Sequence, residues 1–176
     1  MSVLYAIQNI HCGFLDGFFL LLTKVTGNYG QIWVVLGALL CVFRKTRKSG
    51  IAVLLSYALV FAVGQYVLKD LIARPRPCHI DETVALLVSR PSSYSCPSTH
   101  SGWAFAGATA ILLNHKKGGI AALVLAVLIA FSRLYLFVHF PSDVLLGIAL
   151  GVAFAFLSVY IVNTVAKKIA EGREER

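Results

Sequence analysis

Long apolar runs separated by short polar and basic segments dominate the chain. Three runs have about the length, roughly 20 residues, that a helix needs to cross a bilayer core; they are Ile51 to Leu71, Gly118 to Leu136 and Val144 to Val165. Two shorter runs, Gln31 to Phe43 and Ser101 to Leu113, are also predicted to be membrane helices, although a buried or re-entrant helix is the usual alternative at this length. The first can tilt or thin the bilayer locally, and the second can begin at a pocket recessed into the membrane. The pattern predicts an all-α fold, a polytopic membrane helical bundle with about five transmembrane helices.

The first segment, Val3 to Lys24, mixes apolar residues with polar and charged ones and ends at the helix-breaking sequence Thr26-Gly27-Asn28. This mixture favours one amphipathic helix that lies in the membrane interface. The alternative is that the segment joins the next apolar run as a single, long spanning helix with polar interruptions.

Composition supports a membrane protein over a soluble one, since hydrophobic residues make up 58% of the 176 positions and charged residues only 14%. The formal net charge of +8 does not indicate nucleic acid, because no basic stripe is interleaved with exposed aromatic residues. We expect one membrane domain over residues 1–176, with an interfacial helix at 1–27, a transmembrane core at 28–166 and a cytoplasmic tail at 167–176. The last residues of that tail, from Ala170, are expected to be solvated and frayed.

Basic residues cluster in segments that share one side of the membrane if there are five spans. They join the first span to the second and the third to the fourth, and they recur in the tail; they are Arg44, Lys45, Arg47, Lys48, Lys116, Lys117, Lys167, Lys168, Arg173 and Arg176. The positive-inside rule places that side in the cytoplasm. The end of the second span, the start of the third and the junction of the fourth and fifth then face outward.

Ionisable residues gather at these outward ends, in the segments Lys69 to Pro77, Pro97 to His100 and Ser132 to Asp143. Ionisable groups at membrane depth are unfavourable unless they line a polar cavity or bind a ligand, so their clustering predicts a functional site. The basic side chains can hold an anion by charge-assisted hydrogen bonds, and the two histidines can serve as proton donor and nucleophile. The alternative for each residue taken singly is structural, as a snorkelling helix end, an interfacial anchor or a hydrogen-bonded pair.

Taken together, the three segments resemble the signature motifs of the type-2 phosphatidic acid phosphatase superfamily, which also includes the vanadium haloperoxidases and glucose-6-phosphatase. The motif residues are Lys69, Arg76 and Pro77; Pro97, Ser98, Thr99 and His100; and Ser132, Arg133, His139 and Asp143. Their order, internal spacing and placement at helix ends all match. One departure is Thr99, where the family most often has glycine; a larger side chain there can change how closely the backbone approaches phosphate.

The resemblance implies a role for each matched residue. Phosphoryl transfer depends chiefly on positioning and on stabilising negative charge, so no metal and no cofactor are expected. The predicted phosphate-binding residues are Lys69, Arg76, Ser98, Thr99 and Arg133. His139 is predicted to be the nucleophile that forms a phosphohistidine, with Asp143 orienting its imidazole. His100 would protonate the leaving oxygen and then activate water.

The compact form of the chain is similar to the bacterial undecaprenyl diphosphate phosphatases. This resemblance favours hydrolysis of a C55-isoprenyl diphosphate to the monophosphate, at the extracytoplasmic face of the plasma membrane, with membrane lipids as neighbours. The alternative enzyme is a phosphatidylglycerophosphate or phosphatidic acid phosphatase, because the motifs bind phosphate and do not select the lipid tail. An anion transporter and a lipid-binding protein without catalysis are alternatives from other functional classes.

Residues outside the motifs have more modest predictions. Asp70, Arg74 and Arg90 stay outside the catalytic set, with head-group contact as their possible role. The three histidines that match no motif are expected at surface or interfacial positions; they are His11, His79 and His115. Cys78 and Cys96 bracket the predicted outward loop, where a disulfide and two free thiols both remain open.

Overall fold

The computed structural model describes residues 1–174, and within them every regular element is helical. The elements are α1 (Ser2–Gln8), α2 (Gly13–Thr26), α3 (Gln31–Val42), α4 (Arg47–Leu59), a π-helical segment (Val60–Leu68), α5 (Lys69–Ile72), α6 (Pro77–Ile80), α7 (Thr99–Leu112), α8 (Lys116–Tyr135) and α9 (Pro141–Glu174). The prediction of an all-α bundle is confirmed.

Within residues 1–174, three helical stretches are long and apolar enough to cross a membrane: Arg47–Ile80, Lys116–Tyr135 and Pro141–Gly172. They coincide with the three long spans predicted from the sequence, except that Leu136 lies just beyond the end of its helix. The two shorter predicted spans correspond to α3 and α7, and the count of five transmembrane helices stays a prediction. With 14 residues, α7 is about 21 Å long, which is shorter than a bilayer core.

Helix α7 can be short because it lies at the centre of the bundle, where α4, α8 and α9 pack around it and bury nearly all of its residues. Small residues bring the backbones of α7 and α9 together, as is common between membrane helices. A methyl group on Gly151 of α9 would lie only 3.0 Å from the backbone nitrogen of Ala106 in α7. This close approach places the start of α7 beside the start of α9, where Ser98 N donates to Asp143 O at 3.0 Å.

The N-terminal segment is where the structure differs most from the sequence prediction. A single helix over Val3 to Lys24 was expected, but α1 and α2 are separate helices that meet at 112°. The bend wraps them around the end of α8: the His11 ring stacks on Tyr135 with 4.0 Å between ring centroids. Gln8 donates to the Tyr135 carbonyl at 3.0 Å, and the Tyr135 hydroxyl donates to Asp16 at 2.6 Å. The interfacial location of this segment stays a prediction.

The C-terminal segment also differs from expectation. A frayed tail from Ala170 was predicted, but α9 continues to Glu174. The Lys167 ammonium lies 3.7 Å from the Glu171 carboxylate one turn later, and such pairs support a helix at its surface. The predicted tail residues 175–176 lie outside the described residues.

Candidate active site

The three motif segments meet at one cavity of about 560 Å³. Its wall is formed by the end of α2, by the π-helical segment with α5, and by the loop before α7 with the start of that helix. The end of α8 and the end of the loop before α9 complete the wall. Six of the eight predicted site residues line it; they are Lys69, Arg76, Thr99, His100, Arg133 and His139. Segments that are far apart in the sequence thus form a single polar site.

Buried positive charge is the main electrostatic feature of the cavity. Lys69, Arg76 and Arg133 are each 4% to 5% exposed. None of the residues of the described chain that line the cavity is acidic. A buried cation without a counterion is strongly unfavourable, so several together create a site that favours an anion.

Ser93, in the loop before α7, links two of these cations. Arg76 Nε donates to the Ser93 carbonyl at 2.7 Å and Nη2 to the Ser93 hydroxyl at 3.1 Å. Lys69 Nζ donates to the same hydroxyl at 3.2 Å. The loop therefore holds both cations in place at the cavity wall. Sequence reasoning missed Ser93, although it lies in a serine-rich stretch close to the second motif.

The hydrogen bonds of His139 define its tautomer. Arg76 Nη1 lies 3.2 Å from His139 Nε2, and because arginine only donates, Nε2 accepts and carries a lone pair. The proton is then on Nδ1, which lies 3.8 Å from Asp143 Oδ2 and 3.4 Å from the Ser95 hydroxyl. Burial lowers the pKa of His139 to about 3; Arg76 and Lys69 act in the same direction, whereas Asp143 opposes them. The imidazole is consequently neutral near pH 7, which is its nucleophilic form.

Asp143 is fully buried in the first turn of α9 and is surrounded by donors. Its carboxylate accepts from the Ser95 hydroxyl, from Phe140 N at 2.8 Å and from Arg74 Nη1 at 2.8 Å. Sequence reasoning left Arg74 outside the catalytic set and missed Ser95. The signal for both was proximity to motif residues, since Arg74 precedes Arg76 by two positions and Ser95 precedes Pro97 by two.

Asp70 and Arg90, which were also left outside the catalytic set, lie in different places. Asp70 is exposed on α5. Arg90 lines the cavity, and its guanidinium donates to the carbonyls of Cys78 and, at 2.9 Å, Glu82. The structure thus brings Arg90 to the site and leaves Asp70 away from it.

The part of the cavity wall that holds His100 and Arg133 depends on α2. His100 Nε2 lies 3.1 Å from the Gly27 carbonyl, which can only accept, so this nitrogen donates. Arg133 Nη2 donates to the Thr23 hydroxyl at 2.5 Å and Nε to the Ser132 hydroxyl at 3.0 Å. Thr23 and Gly27 come from a segment that carries no motif, and nothing in the sequence indicated that Thr23 contacts Arg133.

The start of α7 accommodates the departure at Thr99. Helix α7 begins at Thr99, with Ser98 as its N-cap residue, so its first backbone N–H groups lie at the cavity. The Thr99 hydroxyl donates to Gln65 Oε1 at 3.3 Å, and its methyl group lies against Gly64 of the π-helical segment. The side chain of Ser98 does not line the cavity, because it is fully buried with its hydroxyl 2.9 Å from that of Ser101. A phosphate contact of Ser98 stays a prediction.

The cysteines flanking the loop are not joined. Cys78 and Cys96 are both buried free thiols. Burial raises the pKa of Cys96 to about 11, and the Asp143 carboxylate acts in the same direction, so this thiol stays protonated near neutral pH. The loop is instead held by the hydrogen bonds of Arg76, Arg90 and Ser95.

Comparison with known proteins supports the assignment suggested by the motifs. A sequence model of the PAP2 superfamily matches residues 49–167. The chain is 37% identical over 151 residues to an undecaprenyl-diphosphatase of Sulfolobus acidocaldarius, and the aligned region covers 85% of this chain and 72% of that protein. It is 31% identical over 142 residues to decaprenylphosphoryl-5-phosphoribose phosphatase of Mycobacterium tuberculosis, with 81% of this chain and 73% of that protein covered.

A solved structure agrees with these sequence matches. The crystal structure of a transmembrane PAP2-type phosphatidylglycerolphosphate phosphatase from Bacillus subtilis superimposes with a TM-score of 0.73 and 31% sequence identity. The superposition covers 96% of this chain and 84% of that chain. The motifs, the fold and these relatives lead to one conclusion: the chain belongs to the PAP2 superfamily and is a membrane lipid phosphatase, a hydrolase of phosphoester or phosphoanhydride bonds.

Proposed function

We propose that the protein removes phosphate from a lipid phosphate or diphosphate through a phosphohistidine formed on His139. One observation carries this proposal: His139, whose neutral imidazole has its lone pair on Nε2, lines a cavity with three buried cations and, among the described residues, no acidic lining residue. A nucleophile beside an anion site is the arrangement that phosphoryl transfer requires.

In the first step, His139 Nε2 attacks phosphorus, the new N–P bond forms and the bond from phosphorus to the leaving oxygen breaks. Lys69, Arg76 and Arg133 stabilise the negative charge on the equatorial phosphoryl oxygens. His100 protonates the leaving oxygen from Nδ1, since its Nε2–H is already donated to the Gly27 carbonyl. The imidazole of His139 gains positive charge as it is phosphorylated, and Asp143 stabilises that charge through Nδ1–H.

In the second step, water replaces His139 on phosphorus. His100, now neutral, takes a proton from the water as its oxygen attacks, and the N–P bond breaks to release inorganic phosphate. His139 returns to its neutral form and His100 to its protonated form. For a lipid diphosphate the balance is one water consumed and one lipid monophosphate and one phosphate formed.

A second cavity supports a lipid substrate. A groove of about 530 Å³ adjoins the active-site cavity and shares with it Thr23, Gly27, Asn28 and Val88. The residues that line this groove alone are Leu20, Leu21, Lys24 and Gln31. The apolar tail of a lipid substrate can therefore leave the phosphate cavity along α2, against Leu20, Leu21 and Val88.

For the substrate we favour a C55-isoprenyl diphosphate, hydrolysed to the monophosphate. The two curated relatives support this choice because both are named for polyprenyl substrates. The second candidate is a phosphatidylglycerophosphate or phosphatidic acid, which the superposition on the Bacillus subtilis phosphatase favours. An anion transporter or a non-catalytic lipid-binding protein would release no phosphate, so the same assay separates these classes.

For the location we propose the plasma membrane, with the site facing the extracytoplasmic side. The 20 residues of α8 separate Lys116 from the cavity end by about 30 Å, close to the thickness of a bilayer core. The basic residues at the start of α4, at the start of α8 and near the end of α9 lie at the other ends of helices that meet the cavity. The positive-inside rule then places the cavity outside the cytoplasm.

The test is phosphate release by detergent-purified protein from undecaprenyl diphosphate, phosphatidylglycerophosphate and phosphatidic acid, without added metal. A His139→Ala variant and a chelator-treated sample serve as controls. Release that depends on His139 and survives the chelator supports the mechanism, and the preferred lipid selects the substrate. Absence of release from every lipid by folded protein would overturn the proposal, and rescue of chelated enzyme by one divalent ion would overturn metal independence.

A further inference from the structure

Arg74 and Arg76 are separated by one proline but make different contacts. Arg76 lines the cavity, whereas Arg74 is not among the cavity-lining residues. Arg74 Nη1 donates to Asp143 Oδ1 at 2.8 Å and to the Ser142 hydroxyl at 2.7 Å. Its guanidinium carbon lies 4.0 Å from the ring centroid of Phe140. Arg74 therefore contacts the turn that carries Asp143 and does not line the cavity.

The two oxygens of Asp143 have different partners. Oδ2 accepts from the Ser95 hydroxyl and from Phe140 N, and it is the oxygen nearest to His139 Nδ1. Oδ1 accepts a hydrogen bond from Arg74. Because Asp143 is fully buried, loss of Arg74 would leave Oδ1 without that donor and the carboxylate without its charged partner.

The backbone of Arg74 strengthens this connection. Ser95 N donates to the Arg74 carbonyl at 2.8 Å. The backbone of Arg74 thus holds Ser95, whose hydroxyl donates to Oδ2, while the Arg74 guanidinium donates to Oδ1. Arg74 follows Ala73, whose left-handed φ of 47° ends α5, and it precedes Pro75. The chain here is turned away from the helix axis, which directs Arg74 and Arg76 to different parts of the site.

We propose that Arg74 is a positioning residue that acts on His139 through Asp143. By holding Oδ1, Arg74 keeps Oδ2 directed at His139 Nδ1 and keeps the carboxylate ionised when the phosphorylated imidazole needs a counter-charge. The inference rests on the proposed function, because it assumes that His139 Nε2 forms the N–P bond. It adds a residue that the motif comparison had left outside the catalytic set.

The first test compares Arg74→Gln with Arg74→Lys, in steady-state assays of phosphate release. Hydrogen bonds to charged groups have free energies that correspond to roughly a 10- to 100-fold change in rate, so kcat of Arg74→Gln should fall by about that factor. The KM and the inhibition by vanadate, a phosphate mimic, should change by less than about threefold, because Arg74 does not line the cavity. Arg74→Lys should recover part of kcat, since a lysine retains the charge at this position.

Two controls separate positioning from general effects. Ser142→Ala removes the other hydrogen bond of the Arg74 guanidinium and should leave kcat within about threefold of wild type. Arg44→Gln removes an exposed arginine from the turn before α4 and should change neither parameter. Thermal unfolding of each variant shows whether it is folded at the assay temperature.

The deciding measurement is a double-mutant cycle with Asp143→Asn, read by the rate at which a ³²P-labelled lipid diphosphate labels the enzyme. If Arg74 acts through Asp143, Arg74→Gln should slow labelling in wild type and add little in the Asp143→Asn background. Additive losses, an unchanged labelling rate in Arg74→Gln, or a loss of vanadate inhibition that matches the loss of kcat would overturn the proposal. Absence of histidine labelling in wild type would instead overturn the proposed mechanism itself.

Discussion

The two walls of the active-site cavity are built in different ways. We name each wall after the role proposed for its histidine. The nucleophile wall holds His139 close to Arg76, Asp143 and Ser95, and it leaves His139 3% exposed. The acid wall holds His100 by one hydrogen bond to Gly27, at the end of α2, and leaves the ring partly exposed. The comparison shows that the motif segments and their loop complete the nucleophile wall, whereas the acid wall needs a segment from outside the motifs.

This difference suits the two chemical tasks. An attacking nitrogen needs a fixed direction and a fixed tautomer, and both follow from a tight set of hydrogen-bond partners. A residue that first gives and then takes a proton must be reached by water between the two steps. A partly exposed imidazole at the cavity, with a single recorded partner, meets that need.

The largest expected effect on turnover comes from substituting each of the two histidines in turn. His139→Asn should reduce turnover by more than about 10³-fold and abolish phosphoenzyme labelling, because the nucleophile is lost. His100→Gln should reduce turnover by about 10²- to 10⁴-fold while labelled enzyme remains detectable, because loss of the acid–base residue also slows hydrolysis of the intermediate. Quenched labelling with a ³²P-labelled lipid diphosphate measures both. Labelled protein in His139→Asn would show that the walls have been assigned the wrong way round.

The pH dependence distinguishes the walls next. Burial lowers the pKa of His139 from about 6.5 to about 3, so the reactive neutral form persists as the pH falls from 7 to 4. We therefore expect the acidic limb of kcat/KM due to His139 to lie near pH 3, and the basic limb to report deprotonation of His100. Measurement of kcat/KM in wild type and His100→Gln tests this, since the basic limb should disappear in the variant. An acidic limb near pH 6.5 that persists in His100→Gln would contradict the effect of burial.

The same lowered pKa predicts a change in stability. Between the ordinary value and about 3, the unfolded chain binds a proton at His139 that the folded chain does not, so stability falls as the pH is lowered through that range. His139→Asn should reduce the fall in Tm between pH 7 and pH 4. Scanning calorimetry or fluorescence-detected unfolding measures the difference, and an equal fall in both proteins would argue that His139 is protonated in the folded state.

A smaller effect is expected where α2 supports the acid wall. Thr23→Val removes the hydroxyl that accepts from Arg133, so the guanidinium loses one partner and phosphate binding should weaken by about tenfold in KM. Thr26→Val is the matched control, because its hydroxyl bonds only to the Thr23 carbonyl within α2 and should leave KM within about threefold. Equal effects of the two substitutions would show that α2 acts through its packing alone.

The sequence predicted the site where motif spacing and helix ends carried the information. Lys69, Arg76, Arg133 and both catalytic histidines were expected together, and the cavity brings them together. Their positions were informative because these residues lie at or near the ends of helices. The ends of the apolar runs therefore already predict that the charged residues lie at one end of the helical bundle. The roles assigned to these residues remain proposals that the labelling experiments test.

Residues that bind the motif side chains from elsewhere were missed for a different reason. Thr23 contacts Arg133 only because α1 and α2 bend around Tyr135, and a bend of 112° is not visible in a pattern of apolar positions. Ser93 and Arg74 were hidden because a serine in a loop and an arginine beside a helix end have many possible partners. Which partner each one takes depends on the fold of the whole loop.

The sequence by itself determined that this chain is a helical membrane protein with cations and histidines at helix ends, because apolar run lengths and residue spacing are local properties. Only the tertiary structure decided which nitrogen of His139 carries the lone pair, which segment completes the acid wall and which groups Arg74 contacts. Those outcomes depend on hydrogen-bond partners from distant parts of the chain, such as Arg76 for His139 and Gly27 for His100. Their choice is made by the packing of the bundle, where buried polar groups must all find partners at once.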